Sequence, residues 1–483
     1  MKEEINRRQF LQAAAIGGVL YFGGSRVSAL GANLKGSKLI SPGCRGTKVK
    51  AARIFMGKAG NDYWPKPGLD LEKEVRFYKS EFAKLKDEFS DVEFVVDELV
   101  GSAEEVSRFK DRLQDVDGIL VIHLTMRTDG VIEELLKSQK PTMVFAVPYS
   151  GHQWTGFGEL MKQPLGAKME CILTSDYKQL ATAVRPFRAI HHLREAKILN
   201  VSTRSFEEYA KEMKDKFGTE IKRIELEQML DAYNAIDESA AKAEAERWIT
   251  GAESVVEPSR EEIFKSSKLA LAFENVLADE GGTVLTVDCY GSYAPATRKL
   301  PAFPCIGFTR LNNMGFGGIC ESDLRCAMTH IIFQGLSGRP GFISDPTVDE
   351  SNNSIILAHC LGTTKMDGPN GPSAAYKIRT IMERQAGAVT QVEMRIGERV
   401  TQAILVGTDL LRYFTGRIVD TPVSLEHDRG CRTKITVKVD GDAEKLWKNW
   451  MHGLHRQTCY GDISKELGYF CRFKEIEMIN EAV

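Results

Sequence analysis

The sequence of 483 residues lacks the features that would connect it to a nucleic acid. It has no excess of basic residues, because 64 Lys and Arg stand against 66 Asp and Glu, for a formal net charge of -2. Nucleic-acid-binding proteins rely on a basic surface, so we expect no nucleic-acid partner. There is no P-loop and no G-x-G-x-x-G that opens a helix, and nucleotide binding therefore has no support. A small molecule is the expected ligand.

Paired cysteines are absent as well. The ten cysteines are scattered, and none forms a C-x-x-C pair, which argues against a zinc ribbon or a thioredoxin motif. Most of them lie in apolar stretches such as FPCIGF and LAHCLG, where we expect a buried thiol that packs as a small hydrophobic group. The disulfide state is left open.

A hydrophobic run long enough to cross a membrane is also missing from the first residues. Arg7 and Arg8 precede an apolar segment, 13–24, which is shorter than the roughly 20 residues that a span needs. The segment resembles a twin-arginine signal peptide over residues 1–32, which predicts export to the periplasm or beyond and no stable membrane insertion after its removal. An amphipathic helix is the alternative, but four glycines in the run disfavour it.

What the sequence does contain is an alternation of apolar runs and amphipathic segments. From residue 50 onward, strand-like and helix-like patterns follow each other, with FPCIGF among the strand-like runs, which predicts an α/β fold with parallel sheets. Beyond residue 385 the apolar residues alternate with period two and Gly or Asp-Gly turns separate them. We therefore predict two doubly wound parallel-sheet domains, 50–193 and 194–345, followed by a β-rich, barrel-like C-terminal domain, 346–483.

Acidic residues and a histidine follow apolar runs in the second half of the chain. The stretch GFGGICESDL places Glu321 and Asp323 at the start of a helical pattern that ends at Gly338. The strand-like GFISD ends at Asp345, and SIILAHC places His359 at the end of another strand. Because the carboxyl ends of strands in an α/β sheet converge on one crevice, we expect two carboxylates and an imidazole to meet there.

Carboxylate and imidazole together, without paired cysteines, suit a divalent ion such as Mn, Fe, Co or Mg. Each residue also has a simpler interpretation. Glu321 and Asp323 could complement a helix dipole, Asp345 could be a turn residue before Pro346, and His359 could be a core histidine. Spacing and composition alone do not decide between the two interpretations.

Further candidates come from loops that follow strands. YSGHQWTGFGE combines Tyr149, His152 and Trp154, a composition suited to stacking on a sugar, with a packed loop as the alternative. The stretch DCYGSY adds Tyr290, and FTRLNN adds Arg310 and Asn312.

At these residues the sequence resembles the L-fucose isomerase and L-arabinose isomerase family. The resemblance rests on GFGGICESD, on FISD some two dozen residues later, on ILAHC, and on a late histidine in HGLHRQTCYGD. It is strongest over residues 305–365. It implies that Glu321, Asp345, His359 and His455 surround a divalent metal, Mn²⁺, with His452 as a competitor for the last position. It also implies a homo-oligomer, a trimer or a hexamer.

The activity that the resemblance implies is the interconversion of an aldose and a ketose through a cis-enediol. Glu321 and Asp345 are the expected acid and base, and the histidines are expected to be ligands only. Two alternatives stay open: an exported carbohydrate-binding protein that keeps the fold without turnover, and a metal-dependent epimerase or lyase that acts on a related sugar acid. The identity of the sugar is not readable from the sequence.

Overall fold

The computed structural model describes residues 46–60, 64–295, 299–422 and 429–483. The predicted signal peptide, 1–32, lies outside the described residues. Among the helices in the described part, none is both long and apolar enough to cross a membrane. The described chain contains two parallel sheets and a closed antiparallel barrel, which confirms the prediction of a mixed α/β protein with a β-rich C-terminal region.

The first sheet follows from short apolar runs between amphipathic helices. Its strands are β1 (Val49–Met56), β2 (Val92–Val100), β3 (Gly118–His123), β4 (Thr142–Ala146) and β5 (Met169–Leu173). The helices here are α1 (Leu71–Lys84), α2 (Ala103–Ser107), α3 (Val131–Leu136), α4 (Trp154–Leu160) and α5 (Gln179–Glu195). The strands are parallel in the order β2-β1-β3-β4-β5. Every residue of β3 and β4 is buried, as expected for central parallel strands.

The second sheet repeats this organisation with fewer strands. Its strands are β6 (Lys197–Val201), β7 (Glu220–Arg223), β9 (Val284–Val287) and β10 (Gly317–Cys320). The short strand β8 (Ser254–Val255) belongs to a different sheet. The helices are α6 (Glu207–Phe217), α7 (Leu226–Asn234), α8 (Glu238–Gly251), α9 (Arg260–Glu280), α10 (Cys305–Met314) and α11 (Leu324–Ser337). The parallel order is β10-β9-β6-β7. That both sheets belong to doubly wound domains stays a prediction.

One element of this region was predicted wrongly. The run FPCIGF was expected to continue the strand alternation, but it opens helix α10. The helix starts after Pro304 and ends at Gly315, which takes the left-handed conformation (φ 86°) that glycine adopts without strain. A short apolar run is compatible with a buried strand and with a buried helix, and here the flanking Pro and Gly mark the helix.

The C-terminal region forms a closed six-stranded barrel. Its strands are β11 (Phe342–Asp349), β12 (Ser354–His359), β15 (Arg399–Val406), β16 (Leu410–Asp420), β17 (Thr433–Val439) and β18 (Arg456–Tyr460). They run antiparallel in the order β15-β18-β11-β12-β17-β16, and pairing of β15 with β16 closes the circle. The flanking elements are β13 (Tyr376–Ile381), β14 (Ala386–Val392), α12 (Ala443–Asn449), α13 (Ser464–Phe473) and β19 (Glu477–Asn480).

Asp345 lies within this barrel, which corrects one expectation. GFISD was predicted to end a strand of an α/β sheet at Asp345, but β11 continues to Asp349 and pairs with β12 in antiparallel register. Pro346 does not stop the strand. The predicted domain boundaries stay predictions, and β11 spans the boundary proposed at residues 345 and 346.

Helix α11 connects the second sheet with the barrel. All its residues from Cys326 to Ser337 are buried, because it packs against α5 on one side and against β15 and β18 on another. At Gly335 an added Cβ would lie 2.5 Å from the Cα of Ala189, so only glycine permits this approach of α5. The N-terminus of α11 is thereby held next to the start of β18.

Candidate metal centre

The structure brings together the four side chains that the sequence predicted as ligands. Nε2 of His455 lies 3.2 Å from Oδ1 of Asp345 and 4.0 Å from Oε2 of Glu321. Asp345, His359 and His455 each offer a ligand atom within 4.8 Å of the others. Glu321 also offers a ligand atom within 4.8 Å of one on His359. We refer to Glu321, Asp345, His359 and His455 as the metal centre. The described part of the chain thus contains residue groups that could hold a metal ion.

A strained turn presents Glu321 to this centre. Glu321 and the next residue, Ser322, have φ of 60° and 54°, a left-handed conformation that non-glycine residues adopt rarely and that occurs at functional sites. Two contacts hold the turn: Nη2 of Arg204 donates to the carbonyl oxygen of Glu321 (2.7 Å), and the hydroxyl of Ser322 donates to the side-chain oxygen of Asn200 (2.6 Å). Glu321 therefore precedes α11 and does not start it.

The residue that starts α11 is Asp323. Its carboxylate accepts a hydrogen bond from the backbone N–H of Cys326 (2.9 Å), which is the usual arrangement of an N-cap. The same carboxylate accepts from Nδ1 of His455 (3.2 Å). Such a carboxylate fixes the orientation of a histidine and leaves Nε2 free to bind a metal. Asp323 was known from the sequence only as a possible partner of the helix dipole, and its contact with His455 was missed.

Asp345 and His359 reach the centre from neighbouring barrel strands. Asp345 on β11 is paired with Ala358, and His359 is the next residue on β12. His359 is buried, and its Nδ1 has no hydrogen-bond partner among the described residues. A buried imidazole nitrogen without a partner is costly, and a metal ion would satisfy it.

His455 precedes β18, and the structure distinguishes it from His452. His452 is exposed and lies outside the metal centre, and its carbonyl oxygen accepts from Arg325. Burial alone would lower the pKa of His455, but its contacts with Asp323 and Asp345 outweigh burial and raise that pKa to about 10. In the absence of a metal, His455 therefore carries a positive charge between the carboxylates.

The two predicted catalytic acids have environments that move their pKa values apart. Burial raises the pKa of Glu321, and the nearby charge of Asp345 adds to this, while His455 opposes it. Asp345 is half-buried, and although burial alone would raise its pKa, its contact with His455 outweighs this and lowers that pKa. Burial lowers the pKa of His359 to about 4, which keeps that ring neutral at pH 7 and able to bind a metal. Paired carboxylates with opposite shifts are typical of acid-base chemistry.

The donor set fits a divalent metal. Two carboxylates and two imidazoles are ligands for hard or borderline ions such as Mn²⁺, and structural zinc would use thiolates instead. The unpartnered Nδ1 of His359 and the orientation of His455 by Asp323 agree with this interpretation.

Cysteines beside the metal centre were not anticipated. Cys320 precedes Glu321 and its Sγ lies 3.5 Å from Sγ of Cys289. Cys360 follows His359, and its Sγ lies 3.9 Å from Sγ of Cys431. Most of the described cysteines are buried, as predicted, and these four lie in two pairs beside the predicted ligands. Their only signal in the sequence is that Cys320 and Cys360 are adjacent to two predicted ligands.

The predicted sugar-contacting residues fall into three groups. Tyr290 lies beside the metal centre, with its hydroxyl 4.0 Å from Sγ of Cys360. Tyr149, His152 and Trp154 lie at the carboxyl edge of the first sheet, where Tyr149 is 78% exposed and Trp154 helps to line a cavity of about 250 Å³. The ring of His152 packs near Trp64, with ring centroids 4.4 Å apart.

Arg310 and Asn312, the third group, are not brought to the metal centre. Arg310 forms ion pairs with Glu244 (3.0 Å) and Glu274 (2.6 Å) on neighbouring helices. Asn312 is buried, donates to the carbonyl of Gly318 (3.1 Å) and accepts from its N–H (2.7 Å). Both side chains fix α10 against its surroundings, and Asn312 thereby holds the strand that leads to Glu321.

Comparison with known proteins finds similarity to a sugar isomerase. The sulfoquinovose isomerase of Clostridium sp. (strain MSTE9) is 26% identical to the chain over 262 residues, which is 52% of the chain and 56% of the relative. The match thus spans about half of the relative's length. No family model matches the chain. The similarity supports the prediction of a sugar isomerase at the level of the class.

Proposed function

We propose that the protein is a metal-dependent aldose-ketose isomerase of the L-fucose and L-arabinose isomerase type. The observation that carries this proposal is the convergence of Glu321, Asp345, His359 and His455 within a few ångströms. The similarity to a sulfoquinovose isomerase supports the same class of reaction. Glu321, Asp345, His359 and His455 are the proposed ligands of a divalent ion, Mn²⁺ or a close substitute.

The reaction moves one proton between adjacent carbons and another between their oxygens, through a cis-enediol. We assign the carbon proton to Glu321, because a pKa raised by burial favours its taking up and returning a proton. Asp345, whose Oδ1 lies 3.2 Å from Nε2 of His455, is assigned the proton traffic at the sugar oxygens. A bound divalent ion would supply charge stabilisation for the oxygens during these transfers.

The proposed substrate is a free sugar or a sugar derivative. Tyr290 is the predicted contact that lies beside the metal centre, so we propose that it lines the substrate site. The relative's name makes sulfoquinovose one compound to include in a substrate panel with common aldoses. Tyr149, His152 and Trp154 remain proposed sugar contacts at the edge of the first sheet.

The decisive test is the variant Glu321→Gln, assayed as ketose formation from the aldose panel with Mn²⁺ present. We expect at least a ~10²–10⁴-fold loss of kcat, which is what a positioned acid or base contributes. Bound manganese, measured by elemental analysis, should fall much less. The matched control is Glu253→Gln at an exposed position, which should retain the wild-type rate.

Wild-type turnover in Glu321→Gln would contradict the role assigned to Glu321. Bound manganese in the wild type without isomerisation of any sugar would favour the alternatives, a carbohydrate-binding protein or an epimerase or lyase. An assay of sugar acids for elimination and epimerisation would then separate those two.

We also propose export through the twin-arginine pathway and assembly into a trimer or hexamer. Fractionation of cells that express the full chain, with and without Arg7→Lys/Arg8→Lys, tests the first proposal. The exposed Tyr149, Trp154 and Leu173 at one sheet edge support a contact between subunits. Mass measurement in solution tests that assembly, and a monomer at working concentration would contradict it.

A further inference from the structure

We propose that Cys360, Cys431 and Glu383 form a second metal site, distinct from the metal centre, that takes a thiophilic divalent ion such as Zn²⁺. We refer to these three residues as the thiol site. The inference does not depend on the isomerase function, because none of the three residues belongs to the metal centre.

The barrel topology places the two thiols side by side. Cys360 follows β12, and Cys431 lies two residues before β17, which pairs with β12 so that His359 stands opposite Thr433. Glu383 comes from the turn that joins β13 to β14. The site therefore forms where three segments distant in the sequence meet at one end of the barrel.

The distances suit a tetrahedral metal. Sγ of Cys360 lies 3.9 Å from Sγ of Cys431. The carboxylate of Glu383 lies 3.6 Å from the first sulfur and 3.5 Å from the second, each through a different oxygen. In a tetrahedral zinc site with Zn–S of about 2.3 Å and Zn–O of about 2.1 Å, sulfur atoms are separated by about 3.8 Å, and sulfur and oxygen by about 3.6 Å. The ligands thus stand nearly at the required spacing.

The two sites differ in their chemical preference. Two thiolates select soft or borderline ions, whereas the metal centre, with its carboxylates and imidazoles, suits Mn²⁺. Three protein ligands leave a fourth position open, as in sites where zinc also binds water or a substrate. The hydroxyl of Tyr290 lies 3.5 Å from Oε2 of Glu383 and 4.0 Å from Sγ of Cys360, beside two of the three ligands.

The exposure of the thiol site and its distance from the metal centre also support this interpretation. Cys360 is buried and Cys431 is half-buried, while Glu383 is exposed and gives an ion a route from solvent. Sγ of Cys431 lies 4.0 Å from Oδ2 of Asp345, so the thiol site and the metal centre are neighbours. On binding, each thiol transfers its proton to the solvent, and the ion takes the place of two protons.

The test uses Co²⁺ as a spectroscopic probe for zinc. The full-length protein is first freed of metal, then given Mn²⁺ to occupy the metal centre, and kept in a reductant that does not bind metals. We expect one Co²⁺ per chain to give thiolate-to-cobalt charge-transfer absorption in the near ultraviolet. Zn²⁺ should abolish this absorption, and excess Mn²⁺ should not. Cys431→Ser and Cys360→Ser should each remove it, and Glu383→Gln should weaken Co²⁺ binding at least ~10-fold.

Two controls separate this site from other effects. Cys171→Ser, another partly exposed cysteine but on the first sheet, should keep the absorption. Glu321→Gln should keep it too, so that a failure of the isomerase proposal leaves this result unchanged. Circular dichroism establishes that each variant is folded.

Three results would overturn the proposal. One is Co²⁺ binding without the thiolate absorption, and another is an absorption that survives in both folded cysteine variants. The third is reduced protein that binds no Co²⁺ at these residues while an unreduced sample shows a Cys360–Cys431 disulfide by mass spectrometry. In that case the pair would be a redox couple and not a metal site.

Discussion

Asp323 acts on two elements through one carboxylate. It caps α11 through the N–H of Cys326 and holds Nδ1 of His455. A substitution that keeps the first contact and removes the second can therefore separate helix stability from metal binding.

Asp323→Asn is that substitution. Asparagine is as good an N-cap as aspartate, so the free energy of unfolding should change little. The amide no longer offers His455 a negative charge, and we expect the affinity for Mn²⁺ to fall by about 10–100-fold, as is typical when the partner of a ligand is lost. Titration calorimetry on the metal-free protein measures this affinity.

The matched control is Asp442→Asn, at the N-cap of α12, where the carboxylate accepts from the N–H groups of Glu444 and Lys445. It should leave Mn²⁺ affinity unchanged. An Asp323→Asn protein that binds Mn²⁺ as tightly as the wild type would show that the contact with His455 does not serve a metal.

At the residue scale, the sequence identified those candidate residues that lie next to a regular local pattern. Glu321 and His359 adjoin regular apolar runs, so their placement could be read from periodicity. The choice between His452 and His455 could not be read, since it depends on where β18 enters the barrel. The ion pairs of Arg310 could not be read either, because its partners, Glu244 and Glu274, lie far away in the sequence.

At the scale of elements, the short strand β10 determines where Glu321 stands. Gly318 on this strand packs against α10 so closely that an added Cβ would lie 2.4 Å from the Cα of Phe308. Backbone atoms cannot move aside as a flexible side chain can. The strand and the helix would have to separate.

We therefore expect Gly318→Ala to lower the free energy of unfolding by about 1–3 kcal/mol, the usual effect of overpacking. It should also weaken Mn²⁺ binding, because Glu321 follows this strand. Urea unfolding and metal titration are the measurements. Gly156→Ala on helix α4, where an added Cβ meets nothing within 4 Å, is the control and should be neutral or stabilising by about 0.5–1 kcal/mol. Equal stability of the two variants would contradict the role of this close contact.

Some elements have strong signals of their own in the sequence. Helix α9, for example, has a capping box formed by Ser259 and Glu262 and a left-handed Gly281 at its end. The strand that contains Asp345 was misplaced because its partners are β12 and β18, and pairing between distant strands leaves little trace in a local window.

At the scale of the whole molecule, buried neutral histidines link stability to pH. Burial lowers the pKa of His330 on α11 to about 4, and that of His192 on α5 to about 3. In the unfolded chain both rings titrate near 6.5. Between pH 6.5 and 4 the unfolded state thus binds more protons than the folded state, and stability must fall as the pH falls.

His330→Gln should reduce this dependence. Nε2 of His330 donates to the carbonyl of Phe316, and its Nδ1 accepts from the N–H of Gly341, so glutamine offers similar groups without titrating. In metal-free protein, we expect the loss of stability between pH 6.5 and 4 to shrink by up to ~3 kcal/mol. Denaturant unfolding at several pH values measures it, with the exposed His152→Gln as the control. If the variant loses as much stability as the wild type between pH 6.5 and 4, His330 is not held neutral in the folded protein.

Barrel closure also sets the time at which the metal centre comes into existence during protein synthesis. His455 leads into a strand that pairs on both sides, with β11 and with β15, and it meets Asp323 across 132 residues of chain. A nascent chain that has not yet emerged as far as His455 has Glu321, Asp345 and His359 but not their partner. The proposed ion can therefore meet all four ligands only after β18 has joined the barrel, so the cations present where folding ends are the ones available to the metal centre.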